Sequence, residues 1–147
     1  MNHEGSGDMY PKGAVLLNMI RTAINDDAKW RNILRGLNKT FYHKTVTYDD
    51  VVNYMSQQSG LDLAPVFDQY LRHTKPAILE FANIKGKLYA RWIASPGFKL
   101  PVKVKVNGGE YQYISPGNKF EPVTLSGATK ENIEVDMLNY YVGVLKD

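Results

Sequence analysis

Tyr10-Pro11-Lys12-Gly13-Ala14-Val15-Leu16-Leu17-Asn18-Met19-Ile20 is the stretch from which the rest of the chain is read. Proline is tolerated in the first turn of a helix, where its missing N–H had no intrahelical partner, so Pro11 predicts a helix start near Tyr10. From Ala14 to Ile24 eight of eleven residues are apolar, which predicts a helix apolar on nearly all sides and buried in a larger body. A phenol at the mouth of such a helix is held in place. At neutral pH it is a protonated donor, because its pKa lies near 10, and it can aim a hydrogen bond at a developing oxyanion. From spacing alone a tyrosine at the end of an element is more often an ordinary boundary residue, so the catalytic reading needs support beyond spacing.

Downstream the period stays helical to about residue 75. Asn25-Asp26-Asp27 supplies N-cap oxygens for a second helix, whose apolar positions Trp30, Ile33, Leu34, Leu37 and Phe41 follow helical spacing. Lys29, Arg31 and Arg35 fall on its other side and read as a solvated face. Thr47 with Asp50 predicts a capping box for a third helix, which buries Tyr48, Val51, Val52 and Met55 and stops at Gly60. Asp49 and Asp50 are then acids favoured by the helix dipole rather than a catalytic carboxylate pair. Asp62 is expected to cap a fourth helix with Pro65 in its first turn, with Leu63, Val66, Phe67, Tyr70 and Leu71 on its buried face and Lys75-Pro76 at its end.

From Ala77 onward the period changes to two. Val102, Val104 and Val106 alternate with Lys103 and Lys105, and Asn107-Gly108-Gly109 turns the chain into a hairpin with Glu110 to Ile114. With Ile78 to Ile84, Lys87 to Ala94, Phe120 to Leu125, Ile133 to Leu138 and Tyr140 to Leu145, this predicts a small antiparallel β-sandwich. Tyr89, Trp92, Tyr111 and Tyr113 fit core and cross-strand packing better than a ligand platform. The predicted class is α+β, with residues 1–75 helical and residues 76–147 a sandwich.

Composition excludes several function classes. The 147 residues hold 44% hydrophobic residues and a net charge of +3. The charge is split as nine basic and eight acidic residues up to residue 75, and nine and seven after it, which predicts no nucleic-acid face. There is no cysteine, so disulfides and thiolate metal sites are out. No apolar run approaches the roughly 20 residues of a membrane span. Residues 1–9 read as a polar, Gly-rich lead, and His3 has no partner at ligand spacing.

Gly5-Ser6-Gly7-Asp8-Met9-Tyr10-Pro11-Lys12-Gly13-Ala14, followed by Leu16-Leu17-Asn18-Met19-Ile20-Arg21, resembles the Tyr-x-Lys-Gly-Ala segment of the gluzincin-type zinc aminopeptidases, relatives of alanyl and leucyl aminopeptidase and leukotriene hydrolase. The similarity continues through Thr47-Tyr48-Asp49-Asp50, Ser59-Gly60-Leu61-Asp62-Leu63 and Phe67-Asp68-Gln69-Tyr70-Leu71 to about Pro76. It implies the helical half of a thermolysin-like catalytic domain followed by a β-sandwich. It also implies that Tyr10 is a catalytic residue, donating a hydrogen bond to the tetrahedral intermediate opposite the zinc.

The family's His-Glu-x-x-His ligand helix is absent, since Gly7 stands where the second His after His3 would be, and its Gly-x-Met-Glu-Asn segment is absent too. The expectation is therefore a C-terminal fragment of a longer peptidase, inactive alone, binding no zinc itself, whose parent uses zinc and takes peptide substrates. An exposed first helix, with self-association as its response, is expected as well. The compartment stays open, with a periplasmic or otherwise exported parent as the expectation. The rival is a stand-alone helical and β-sandwich module that binds a peptide or protein without catalysis.

Overall fold

The computed structural model describes residues 3–146, with side chains from residue 13 onward. Four helices precede seven strands: α1 (His3–Ile24), α2 (Asp27–Thr40), α3 (Tyr48–Ser59), α4 (Ala64–Arg72), β1 (Ile78–Ile84), β2 (Lys87–Ile93), β3 (Val102–Val106), β4 (Gln112–Ile114), β5 (Glu121–Pro122), β6 (Ile133–Val135) and β7 (Gly143–Lys146). The class is α+β, as the change of period predicts.

α1 starts at His3, well before the predicted start near Tyr10, so Pro11 is an interior residue and the lead expected over residues 1–9 is helical from residue 3. Proline's fixed φ is itself helical, and turns can precede it at the expense of one hydrogen bond and of crowding between its ring and the carbonyl four residues back, together about 3 kcal/mol. The expectation of a helix apolar all round is also corrected. Leu16, Met19, Ile20 and Ala23 are buried, at i, i+3, i+4 and i+7, whereas Leu17 is 39% exposed. Asn18, Arg21 and Thr22 recur at helical spacing on another side, so the polar minority is itself a stripe. The apolar stripe expected to need a missing half or a second copy is covered by this chain's own core.

The caps hold two of the other helices where predicted. Asp26 accepts from the Lys29 amide at 3.0 Å to open α2. The Thr47–Asp50 capping box opens α3, with both reciprocal bonds at 3.1 Å, and Gly60 closes it at φ 78°. Asp62 does not cap α4. Leu63 takes that position without a side-chain cap, because it is fully buried and its amide donates to Ser56 Oγ at 3.0 Å, while Pro65 removes one of the donors a cap would serve. Leu71, expected inside, is 44% exposed.

Two sheets follow, ordered β5-β2-β1-β7 and β4-β3-β6. A two-residue turn with Lys85 at φ 52° and Gly86 at φ 78° joins β1 to β2 and sets Ile84 opposite Lys87. The predicted β3–β4 hairpin forms, pairing Val102 with Ile114. One pairing departs from the antiparallel expectation: β7 lies parallel to β1, with Ile78 opposite Gly143. Local alternation carries no information on strand direction. Glycine eases the close approach at that point, since a Cβ on Gly143 would stand 3.2 Å from the Ile78 side chain, which would have to shift by a few tenths of an ångström.

A single core joins helices and sheets. Leu16, Met19, Ile20, Val66 and Tyr70 belong to the same buried cluster as Leu79, Phe81, Trp92, Val102 and Ile133. Polar bonds cross the same boundary: Tyr113 Oη donates to the Thr22 carbonyl at 2.7 Å, and Tyr70 Oη to the Tyr141 carbonyl at 2.6 Å.

Candidate functional site

Tyr10, the residue singled out as catalytic, lies on α1 one position before Pro11. Its side chain, like that of His3, lies outside the described residues. Further along the same helix, the stripe of Asn18, Arg21 and Thr22 forms one wall of a polar groove of about 330 Å³, whose other lining residues include Asp27, Lys103, Tyr113 and Asn139. Composition counts missed this groove. The signal was the spacing of the three polar residues within an otherwise apolar run.

Nearly every group in the groove has a partner. Asn18 Nδ2 donates to Asn139 Oδ1 at 3.2 Å, and Asn139 Nδ2 donates to Asp136 Oδ2 at 2.8 Å. Arg21 Nε donates to Asp27 Oδ1 at 3.0 Å, a bond that holds the Asp27 carboxyl below its ordinary range and raises the guanidinium. The Tyr113 phenol is raised by burial and spends its proton on the Thr22 carbonyl. The groove can hydrogen-bond a polar solute, but it contains no activated nucleophile and no free base.

A second cluster has the residue types of a hydrolase triad and not its order. Ser95 Oγ lies 3.1 Å from Asp68 Oδ2 and 3.0 Å from Gln69 Oε1, and His73 Nε2 lies 3.4 Å from the same Asp68 oxygen. A serine nucleophile needs the imidazole between hydroxyl and carboxylate, to take the hydroxyl proton. Here the carboxylate stands between the two. Ser95 is a clip instead: its amide donates to Gln69 Oε1 at 2.7 Å, and Gln69 Nε2 donates to the Lys75 carbonyl at 2.8 Å, binding α4 to the segment after β2.

The sheets offer a charge pair with one buried member. Glu80 on β1 is 5% exposed and accepts from Arg91 Nε on the facing strand at 2.6 Å, while Arg91 lies over the Phe120 ring at 4.6 Å. This fully engaged cross-strand pair serves the fold. The four aromatics weighed as a platform are dispersed. Trp92 packs edge-on to Phe98 in the core at 5.0 Å, Tyr113 reaches α1, and Tyr111 lies beneath Lys103 and Lys105.

Among the described residues, no three His, Cys, Asp or Glu side chains converge to hold a metal ion. His43 packs on Tyr42 with ring centres 4.0 Å apart, and His73 is engaged with Asp68. The described residues therefore do not fit zinc. Among them, too, no helix is long and apolar enough to cross a membrane. No family model matches the chain, and no curated protein matches it either.

Proposed function

We propose that this chain is the C-terminal portion of a gluzincin-type zinc aminopeptidase. In this reading residues 1–75 are the last helices of a thermolysin-like catalytic domain, and residues 76–147 are the β-sandwich behind it. The observation that carries the reading is Tyr10-Pro11-Lys12-Gly13-Ala14 on α1, followed by helices and then by two small sheets.

In the parent enzyme Tyr10 donates its phenolic proton in a hydrogen bond to the oxyanion formed at the scissile peptide carbonyl. Zinc belongs to a part of the parent other than these residues, so the isolated chain is expected to show no peptidase activity. Tyr10→Phe in the full enzyme is expected to lower turnover about a hundredfold to a thousandfold, the usual effect of losing one such donor. Unchanged turnover would remove Tyr10 from the mechanism. A reading frame lacking a His-Glu-x-x-His helix upstream of Met1 would remove the reading altogether.

A second reading, a helical and β-sandwich module that binds peptide or protein without catalysis, is favoured by one observation. The stripe from Leu16 to Ala23 is covered by the chain itself. In that case the full source gene encodes no metal-binding helix, and the chain behaves as a self-sufficient unit.

A further inference from the structure

Between Asp27 and Asp49 the chain carries five basic residues, Lys29, Arg31, Arg35, Lys39 and Lys44, and no acidic one, against a net charge of only +3 for the whole chain. The even division of charge between the halves hides this concentration, because the acids of the helical half stand outside the stretch. All five cations are exposed on α2 and the turn after it. Lys29 is committed to the Ser59 carbonyl at 3.2 Å. Among the described residues, no acidic side chain lies within salt-bridge distance of Arg31, Arg35, Lys39 or Lys44.

Beside these cations, α2 and α3 leave a groove of about 270 Å³ lined by Leu34, Leu37, Asn38, Phe41, Val46 and Val51. Only Asn38 among them is polar. Leu34 is 40% and Val46 37% exposed, so the apolar lining is open to a partner. Below it Phe41 meets Tyr54 edge-on at 5.9 Å, and Gly36 leaves room for the Tyr54 ring, so packed side chains hold the groove in shape. The volume lies under the roughly 300–1,000 Å³ of pockets that enclose a small molecule. It suits anchoring side chains instead.

Three partner classes take basic surfaces with apolar components, and shape separates them. A membrane surface takes apolar side chains that project from the protein. Single-stranded nucleic acid takes exposed aromatic faces along a basic track. An amphipathic helix takes a recessed apolar groove, and acidic residues on that helix match cations at the rim. Here Leu34, Leu37, Phe41, Val46 and Val51 line a recess, and Tyr42, 66% exposed and stacked on His43, is a single aromatic face beside the cations rather than a track of them. On α2, Arg31 neighbours the lining residue Leu34 and Arg35 neighbours Asn38, three positions apart in each case, so these two edge the apolar face from its solvated side, and Lys44 lies in the turn between Phe41 and Val46.

We infer that the α2–α3 groove is a docking site for an acidic amphipathic segment of another protein, whose apolar side chains enter between Leu34, Phe41 and Val46 while its carboxylates face Arg31, Arg35 and Lys44. The site is separate from Tyr10 and stands whether or not the peptidase reading does.

The test is fluorescence anisotropy of the full chain with a labelled synthetic peptide carrying Leu at helical spacing and Glu between. It is run against a scrambled peptide of the same composition, labelled polyuridine, and phosphatidylserine vesicles. The ordered peptide is expected to bind about tenfold tighter than the scrambled one, a difference of about 1.4 kcal/mol, and to weaken as salt rises. Leu34→Asp and Val46→Asp, both at exposed positions that leave the core intact, are each expected to weaken it about tenfold. The paired change Arg31→Glu with Arg35→Glu is expected to transfer the preference to a peptide with Lys in place of Glu. No binding, equal binding of the ordered and scrambled peptides, tighter binding of RNA or vesicles, or indifference to Leu34→Asp in a variant of unchanged circular dichroism would each overturn the inference.

Discussion

Tyr70 and Tyr140 show how single polar atoms join this fold. Both side chains are buried, and each spends its hydroxyl proton on a backbone carbonyl far away in sequence, Tyr70 on Tyr141 and Tyr140 on Pro101. Burial raises the pKa of both phenols, because the phenolate would have to form away from water. In the unfolded chain each titrates near 10. Below that pH both states hold the proton and the stabilisation is complete. Above it the unfolded chain releases protons first, so the free energy of unfolding falls as pH rises. The urea midpoint is therefore expected to be flat from about pH 7 to 9 and to drop above about 10. Tyr140→Phe should start lower, by about 1 kcal/mol for the lost hydrogen bond, and fall less steeply. An equally steep alkaline fall in Tyr140→Phe and Tyr70→Phe would show that other groups cause it.

Among the elements, the pairing of α2 with α3 rests on Gly36. A Cβ at that position would collide with the end of the Tyr54 ring, which also packs edge-on to Phe41. Gly36→Ala is favoured by helix propensity yet forces the ring to move, and overpacking of this kind costs about 1–3 kcal/mol. The expected outcome is a lower denaturant midpoint for Gly36→Ala, with partial recovery in the double variant carrying Tyr54→Phe, which lacks the atom that collides most closely. Additive effects in the double-mutant cycle would mean that the two positions do not meet. Phe41, which packs on Tyr54, lines the groove, so Gly36→Ala should also weaken acidic peptide binding in parallel with its loss of stability.

Over the whole molecule, one core and several crossing hydrogen bonds tie the helical half to the sheets. Helical circular dichroism and the fluorescence of Trp92, in the sheet core, read in a Trp30→Phe variant that removes the helical half's own tryptophan, are therefore expected to report a single coincident unfolding transition. Residues 76–147 alone would lose the cover that the α1 stripe and Tyr70 provide and are expected to show no cooperative transition. Two separated transitions in the full chain would mean that each half is stabilised independently.

Local chemistry made most of the elements legible before any coordinates. Asp26, the Thr47–Asp50 box and Gly60 mark helix ends because capping is a matter of neighbouring residues, and Ile78–Ile84 appears as a strand because its turn, Lys85-Gly86, is encoded beside it. Tyr10 drew attention through the motif around it, whereas the groove behind Leu34 and Phe41 went unread because it exists only once α3 packs on α2. The parallel placement of β7 beside β1 and the uncapped start of α4 at a buried Leu63 were likewise decided by tertiary structure. The sequence by itself determined the order and type of the elements and the ends that caps and turns mark, since those signals act within a few residues, but not the start of α1 or the extents of β5, β6 and β7. Which faces are covered, which cations share a rim and which way the last strand runs depend on residues brought together from distant parts of the chain, and only the packed fold decides them.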